Sequence, residues 1–190
     1  MTAREAALRA LVACEQQGAW SDGFLKKILR TAGLDSRDAA LTTRLCFGVL
    51  QNRLLLDYYL GKLSTVKLEK MEPAVRNALR LGAYQVLFLD RVPDHAAVSE
   101  AVDLARKGSK NPRSAGLVNG VLRSLVRQKD SLEPPEDPAV RYSHPQWLAD
   151  LFTRRLGREE AAALMAANNG EPPTCAQVNK IGRASCRERV

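Results

Sequence analysis

The chain has 190 residues, 45% of them hydrophobic and 5% aromatic, and a formal net charge of +8. That length suits one domain, or one domain and part of another, with enough apolar content for a sizeable core. No run of 18 apolar residues occurs, and the opening MTAREAALRAL carries Glu5 and no continuous apolar stretch. A membrane span and a secretory signal are therefore not expected, and a cytoplasmic location fits.

In chain order, TAREAALRALVACEQQ opens with Thr2 three residues before Glu5, a capping-box arrangement. Leu8, Leu11, Val12 and Glu15 step at helical spacing and leave Arg4, Glu5 and Arg9 towards solvent. Gly18 ends this helix, and Ser21 caps a second one running to about Ala32, before Gly33. Ser36 begins a long pattern in which Leu41, Leu45, Val49, Leu56 and Leu60 keep one apolar face, with a break near Asn52. Another helix starts at Glu72-Pro73, proline being tolerated in a first turn. Val75, Leu79, Gly82, Val86 and Leu89 form its stripe, and its second half is apolar all round, which predicts a central, buried helix. Gly82 lowers helix propensity, so a close helix crossing is expected there.

Asp94 is placed to cap the next helix, from about His95 to Lys107. The loop GSKNPRSAG leads from it into LVNGVLRSLVRQ. Residues 131–143, SLEPPEDPAVRYS, hold three prolines and a cluster of acids, and read as a linker or extended strap. HPQWLADLFTRRLG and REEAAALMAAN resume helix, with Trp147, Leu148, Leu151 and Phe152 as the expected buried face and Glu159-Glu160 as first-turn charges. The fold class is all-α: a bundle of about seven helices ending near residue 130, a linker, and two further helices.

Chemistry-bearing motifs are sparse. Cys14, Cys46, Cys175 and Cys186 form no CxxC pair, so neither a metal site nor a disulfide framework is expected, and Cys14 and Cys46 read as small core residues. His95 and His144 lie at helix starts without a nucleophile or acid beside them, and read as structural or capping residues. GxGxxG and GxxxxGK[ST] are absent, and no catalytic residue is nominated. Charge is more informative, because residues 61–130 hold 13 basic against 7 acidic residues, while 131–179 hold 4 against 7. Arg106, Lys107, Lys110 and Arg113 surround one loop, and Arg123 and Arg127 lie four apart on the helix it feeds. Cations beside free helix N-terminal amides suit a polyanion such as RNA, although a solvated face has the same composition.

RDAALTTRLCFGVLQNRLLLDYYL, LRLGAYQVLFLDRVPDHAAVSEAVDLA and GLVNGVLRSL together resemble the NusB-like domain, a helical RNA-binding fold. It occurs in the free-standing antitermination factor NusB and at the N-terminus of the RsmB type of 16S rRNA cytosine-5 methyltransferase. YSHPQWLADLFTRRLGREEAAALMAANNGEPP, followed by Val178-Asn179, resembles the joint of the RsmB type leading into its methyltransferase half. The resemblance implies 16S rRNA as partner, and S-adenosylmethionine with two catalytic cysteines in a half this sequence does not contain. Cys175 lies outside any catalytic motif of that family. RNA contacts are implied around the first helix and the LVNGVLR helix, where Arg4, Arg9, Lys110, Arg113 and Asn119 stand, the family's arginine-rich leader being represented by Arg4 alone.

The last ten residues are IGRASCRERV; the codons ATC GGA AGA GCG TCG TGT AGG GAA AGA GTG would translate to them, and that DNA resembles a sequencing adapter. The expected organisation is thus a NusB-like domain over 1–130, a linker over 131–143, the incomplete start of a methyltransferase region over 144–180, and an adapter-derived tail over 181–190. The expected function is RNA binding, with no cofactor or metal in this chain and no turnover. The rival readings are a free-standing antitermination module that binds RNA and a ribosomal protein, and a helical protein-interaction domain without an RNA role.

Overall fold

A computed structural model describes residues 1–17 and 21–170; the expected stop at Gly18, the Ser21 side chain, the strand after Gly170 and the 181–190 tail lie outside them. The helices are α1 (Ala3–Gln17), α2 (Ser21–Thr31), α3 (Ser36–Gln51), α4 (Arg53–Leu63), α5 (Pro73–Phe88), α6 (Asp94–Gly108) and α7 (Ser114–Gln128). After them come α8 (Pro138–Arg141), α9 (Gln146–Leu156) and α10 (Arg158–Asn168), with no strand among the described residues.

Local chemistry sets most boundaries. The Thr2–Glu5 capping box forms: the Glu5 amide donates to Thr2 Oγ1 at 3.2 Å and the Thr2 amide to Glu5 Oε2 at 3.0 Å. The cap of α3 is Asp35, whose Oδ1 accepts from the Asp38 amide at 2.7 Å. The expected break falls at Asn52, whose Nδ2 donates to the Gly48 carbonyl at 2.9 Å and so satisfies an orphan acceptor at the end of α3. Asp94, in contrast, does not cap α6. Pro93 holds that position, and the Asp94 carboxylate turns instead to Lys129 Nζ at 2.7 Å, just past α7.

The bundle is built around α5. Every residue from Asn77 to Val86 is buried, and α5 packs against α1, α3, α4, α6 and α7. At Gly82 a Cβ would run into Leu122 Cδ1 and lie 3.0 Å from Ala101 Cβ, so the expected close crossing is the meeting of α5, α6 and α7.

One charged residue is buried with the apolar core. Arg80 is 6% exposed; its Nε and Nη2 donate to the two Asp57 carboxylate oxygens at 2.7 and 2.8 Å, and its Nη1 reaches Glu15 Oε1 at 3.3 Å. Arg76 Nη2 also meets Glu15 Oε1 at 2.8 Å, and Asn77 Nδ2 donates to Glu15 Oε2 at 2.6 Å. Burial pushes the Glu15 carboxyl up, but the Asn77 hydrogen bond and the charges of Arg80 and Arg76 outweigh it and hold the group below its ordinary 4.5. A depressed carboxyl contributes stability that is complete above the unfolded-state value and is lost as pH falls through the folded one. Thermal melts between pH 3 and 7 are therefore expected to show an acid-side loss of stability that Glu15→Gln makes shallower; an unchanged acid limb would assign it to other carboxylates.

The stretch 131–143 is not wholly extended. Asp137 Oδ1 accepts from the Ala139 amide at 2.9 Å and Pro138 occupies the first turn, so a single helical turn, α8, forms and packs on α4. Helices α8 to α10 share a small core of Ala139, Ala149, Ala161 and Met165, with Tyr142 and Phe152 against it. The expected buried face of α9 is therefore half wrong: Trp147 is 67% exposed and Leu151 38%. Contact runs along Ala149 and Phe152, whose small and large side chains interlock with α10, and the Trp147–Leu151 row falls on the opposite side. Hydrogen bonds tie this unit to the bundle, among them Gln51 Nε2 to the Asn169 carbonyl at 2.9 Å and the Leu55 amide to Ser143 Oγ at 3.1 Å.

Candidate nucleic-acid interface

Helices α6 and α7 run antiparallel around the short loop that joins them and leave a groove of about 690 Å³ along their outer side. Its floor is Val98, Val102 and Val126; its walls carry His95 and Ser99 from α6 and Asn119, Arg123 and Arg127 from α7. Helical spacing explains the line-up, because 95, 99 and 102 share one face of α6, and 119, 123 and 126 share one face of α7. Asp94 closes one end, its charge taken up by Lys129. Arg123 and Arg127 are exposed, and Arg127 Nη2 donates only to Ser124 Oγ, at 3.0 Å.

The other nominated cations divide into two groups. Arg106 continues the His95–Ser99–Val102 face of α6, exposed and paired with Asp103 at 2.6 Å. Lys110 and Arg113 are exposed in the loop before α7, where Asn111 Oδ1 accepts from the Arg113 amide at 3.0 Å and shapes the turn. None of these three lines the groove, whose lining ends at Val102 and Asn119 towards the loop. Lys107 points to the other side of α6, where Nζ meets Glu5 Oε1 of α1 at 2.7 Å. The Lys107 hydrogen bond, with that of the Thr2 amide, holds the Glu5 carboxyl below its ordinary range. Arg9 is exposed on α1, at a separate apolar groove with Leu8, Val12, Phe24 and Leu104. Arg4 is half-buried, and its Nε donates to Oε1 of the buried Gln85 at 2.7 Å. The groove thus takes in Asn119, Arg123 and Arg127; Arg106, Lys110 and Arg113 are exposed towards the α6–α7 loop, outside its lining, and Arg4, Arg9 and Lys107 stand apart.

His95 and Ser99 belong to the same groove and were not nominated from sequence. Their spacing to Val102 could have found them, once α6 and α7 were read as an antiparallel pair. His144 is structural: its Nδ1 donates to the Tyr142 carbonyl at 2.7 Å. Cys46 is buried, and burial pushes its thiol up to about 12, in keeping with a core role. Among the described residues no group of His, Cys, Asp and Glu could hold a metal ion, and no helix is long and apolar enough to cross a membrane.

Comparison with known proteins places this geometry. The family model described as "NusB family" matches residues 1–127, which takes in α1 to α7 almost to the end. The chain belongs to the NusB family. The NusB-family region is followed by a second match, to the "Methyltr_RsmF/B-like, ferredoxin-like domain", over residues 144–189. That match reaches into the 181–190 stretch. Among relatives, "Probable ribosomal RNA small subunit methyltransferase B" of Bacillus subtilis (strain 168) is 37% identical over 184 residues, covering 94% of this chain and 40% of the relative. The chain spans about 40% of the length of the curated relatives it matches. Among solved structures, NusB of T. maritima is 26% identical with a TM-score of 0.60, covering 68% of this chain and 95% of that one. A crystal structure of antitermination factors NusB and NusE in complex with dsRNA shares the fold at 21% identity and a TM-score of 0.60, covering 66% of this chain and 93% of that one.

Proposed function

We propose that this chain is the RNA-docking part of a small-subunit rRNA methyltransferase of the RsmB type, acting on 16S rRNA in the cytoplasm. The observation that carries the reading is the α6–α7 groove, lined by Asn119, Arg123 and Arg127, with Arg106, Lys110 and Arg113 exposed on α6 and in the loop that joins the two helices. Phosphates suit the exposed cations, while Asn119 and Ser99 add hydrogen-bonding groups. The relatives' name supports the substrate class, and a structure that shares this fold was solved as antitermination factors NusB and NusE in complex with dsRNA.

Methyl transfer belongs, in this reading, to the part of the relatives that this chain does not span. S-adenosylmethionine supplies the methyl group there. The α6–α7 groove does not fit that cofactor: it is lined by valines and arginines, and its one carboxylate, Asp94, is paired with Lys129. This chain's own residues dock RNA by charge and orient it.

Fluorescence anisotropy with labelled 16S rRNA fragments tests the proposal. Affinity is expected to fall steeply between 50 and 200 mM salt, and Arg123→Gln/Arg127→Gln to make the slope of log K against log salt shallower by roughly 1.4, at about 0.7 for each phosphate no longer neutralised. Salt-independent binding, or a double variant with the parent slope, would remove RNA docking from this face and favour a protein partner.

A further inference from the structure

A second groove, of about 570 Å³, lies where the α3–α4 bend and the end of α5 meet α8 and α10. Resting on the RNA-binding reading above, we infer that it is a subsite for single-stranded RNA, which stacks a base against Phe88 and Phe47 and holds the adjoining phosphate with Arg44 and Arg141.

Exposed aromatic carbon carries the first half of the argument. Phe47 is 40% and Phe88 37% exposed, in a chain that otherwise buries most of its large apolar side chains. Phe88 lies on Tyr84 with ring centroids 5.3 Å apart and planes inclined by 22°. Tyr84 is itself held flat against α3 because residue 48 is glycine: a Cβ there would meet the ring at Cζ, Cε2 and the hydroxyl. The outer ring of a near-parallel stack is thereby fixed with one face towards the groove, the arrangement on which a nucleobase stacks.

Charge carries the second half. Arg44 and Arg141 line the groove and make no ion pair among the described residues, and no carboxylate lines it. Three further grooves among the described residues each hold one, Asp94, Glu5 or Glu15. An anion is therefore accommodated here without competition. Gln51 and Asn52 use their amide N–H groups inside the protein, on the Asn169 and Gly48 carbonyls, which leaves their side-chain oxygens to accept from a base edge. Rings, guanidiniums and amide acceptors in one groove are the parts of a nucleotide site; a protein partner would need neither the stack nor the unpaired charge.

The groove depends on residues beyond the NusB match. Arg141 and Tyr142 belong to the α8 turn, and Asn169 Nδ2 donates to the Tyr142 carbonyl at 2.8 Å, locking α10 against it. The subsite thus forms between the bundle and the following unit, on a different face from the α6–α7 groove.

The test uses the 190-residue chain, a fluorescein-labelled single-stranded RNA dodecamer of mixed sequence, and an abasic dodecamer of equal charge. Phe88→Leu keeps apolar bulk and removes the ring, and is expected to weaken the RNA dodecamer on the order of tenfold while leaving the abasic one unchanged. Phe88→Tyr restores binding. Arg44→Gln/Arg141→Gln is expected to make the salt slope shallower by roughly 1.4. If both sets of variants bind the RNA dodecamer like the parent while Arg123→Gln/Arg127→Gln weakens it, this subsite is wrong and the RNA reading stands. Equal losses of RNA and abasic polymer in Phe88→Leu overturn base stacking, and a parent chain that binds no RNA overturns both readings. Thermal melts of each variant separate lost binding from lost folding.

Discussion

Replacing Arg80 with methionine is expected to lower the stability of the chain by about 3 kcal/mol, the lower end of what removing one partner from a buried ion pair costs. The side chain fits in length and apolar character, so packing survives; what disappears is the cation that faces Asp57 across the α4–α5 interface. Asp57 is left part-buried without that counter-charge, whereas Glu15 keeps Arg76 and Asn77. That asymmetry yields a second expectation from the same site: adding Asp57→Asn to Arg80→Met recovers part of the loss, and adding Glu15→Gln does not. Urea denaturation measures all of these. A loss under about 1 kcal/mol would place the network in the class of solvated surface pairs.

Gly82→Val is expected to cost about 2–3 kcal/mol, the upper range for overpacking a core. Valine gains helix propensity over glycine by a few tenths of a kcal/mol, far too little to compensate. The added Cβ alone would run into Leu122 Cδ1 and meet Ala101 Cβ at 3.0 Å, and two methyls must follow it. Leu122 is fully buried, so its side chain has no free space into which to rotate. Leu122→Ala by itself opens a cavity and costs about 2–5 kcal/mol. Combined with Gly82→Val it removes the clash and gives the new methyls a place, so the double variant should be more stable than the sum of the two losses predicts. A double-mutant cycle that closes additively would show that α5 and α7 do not meet at residue 82.

How far the sequence could be read is clear from particular elements. The Thr2–Glu5 capping box, the break at Asn52, the proline-led start of α5 and the burial of its second half all rest on interactions within a few residues or on periodicity. Such signals survive in any tertiary setting, and each is present in the structure. Gly82 was legible for a related reason, since a glycine inside an otherwise apolar helix implies a neighbour too close for a side chain. The reading failed where a residue had a choice of partners. Asp94 had the composition of a cap and instead took Lys129, 35 positions away. Arg4 had the spacing of a solvent-facing residue and instead met Gln85, 81 positions away. Trp147 and Leu151 had the character of a buried row, but Ala149 and Phe152 of α9 packed on α10 instead.

The candidate sites show the same division more sharply. The basic loop and the Arg123–Arg127 pair could be nominated because they are neighbours in sequence or one helical turn apart. His95 and Ser99 could not, because membership of the groove depends on the antiparallel pairing of α6 with α7. The aromatic groove draws on residues between 44 and 169, and no local pattern joins Phe47 to Phe88 or either to Arg141. What the sequence by itself determined was helix identity, the position of the central helix, the basic character of one region and, through several blocks in order, the family. Only the tertiary structure decided which cations share a face, which are spent on internal partners such as Gln85 and Glu5, and where exposed rings and unpaired arginines meet. The physical reason is range: capping and amphipathic periodicity act over one or two turns, whereas a binding surface is made by side chains that only packing brings together.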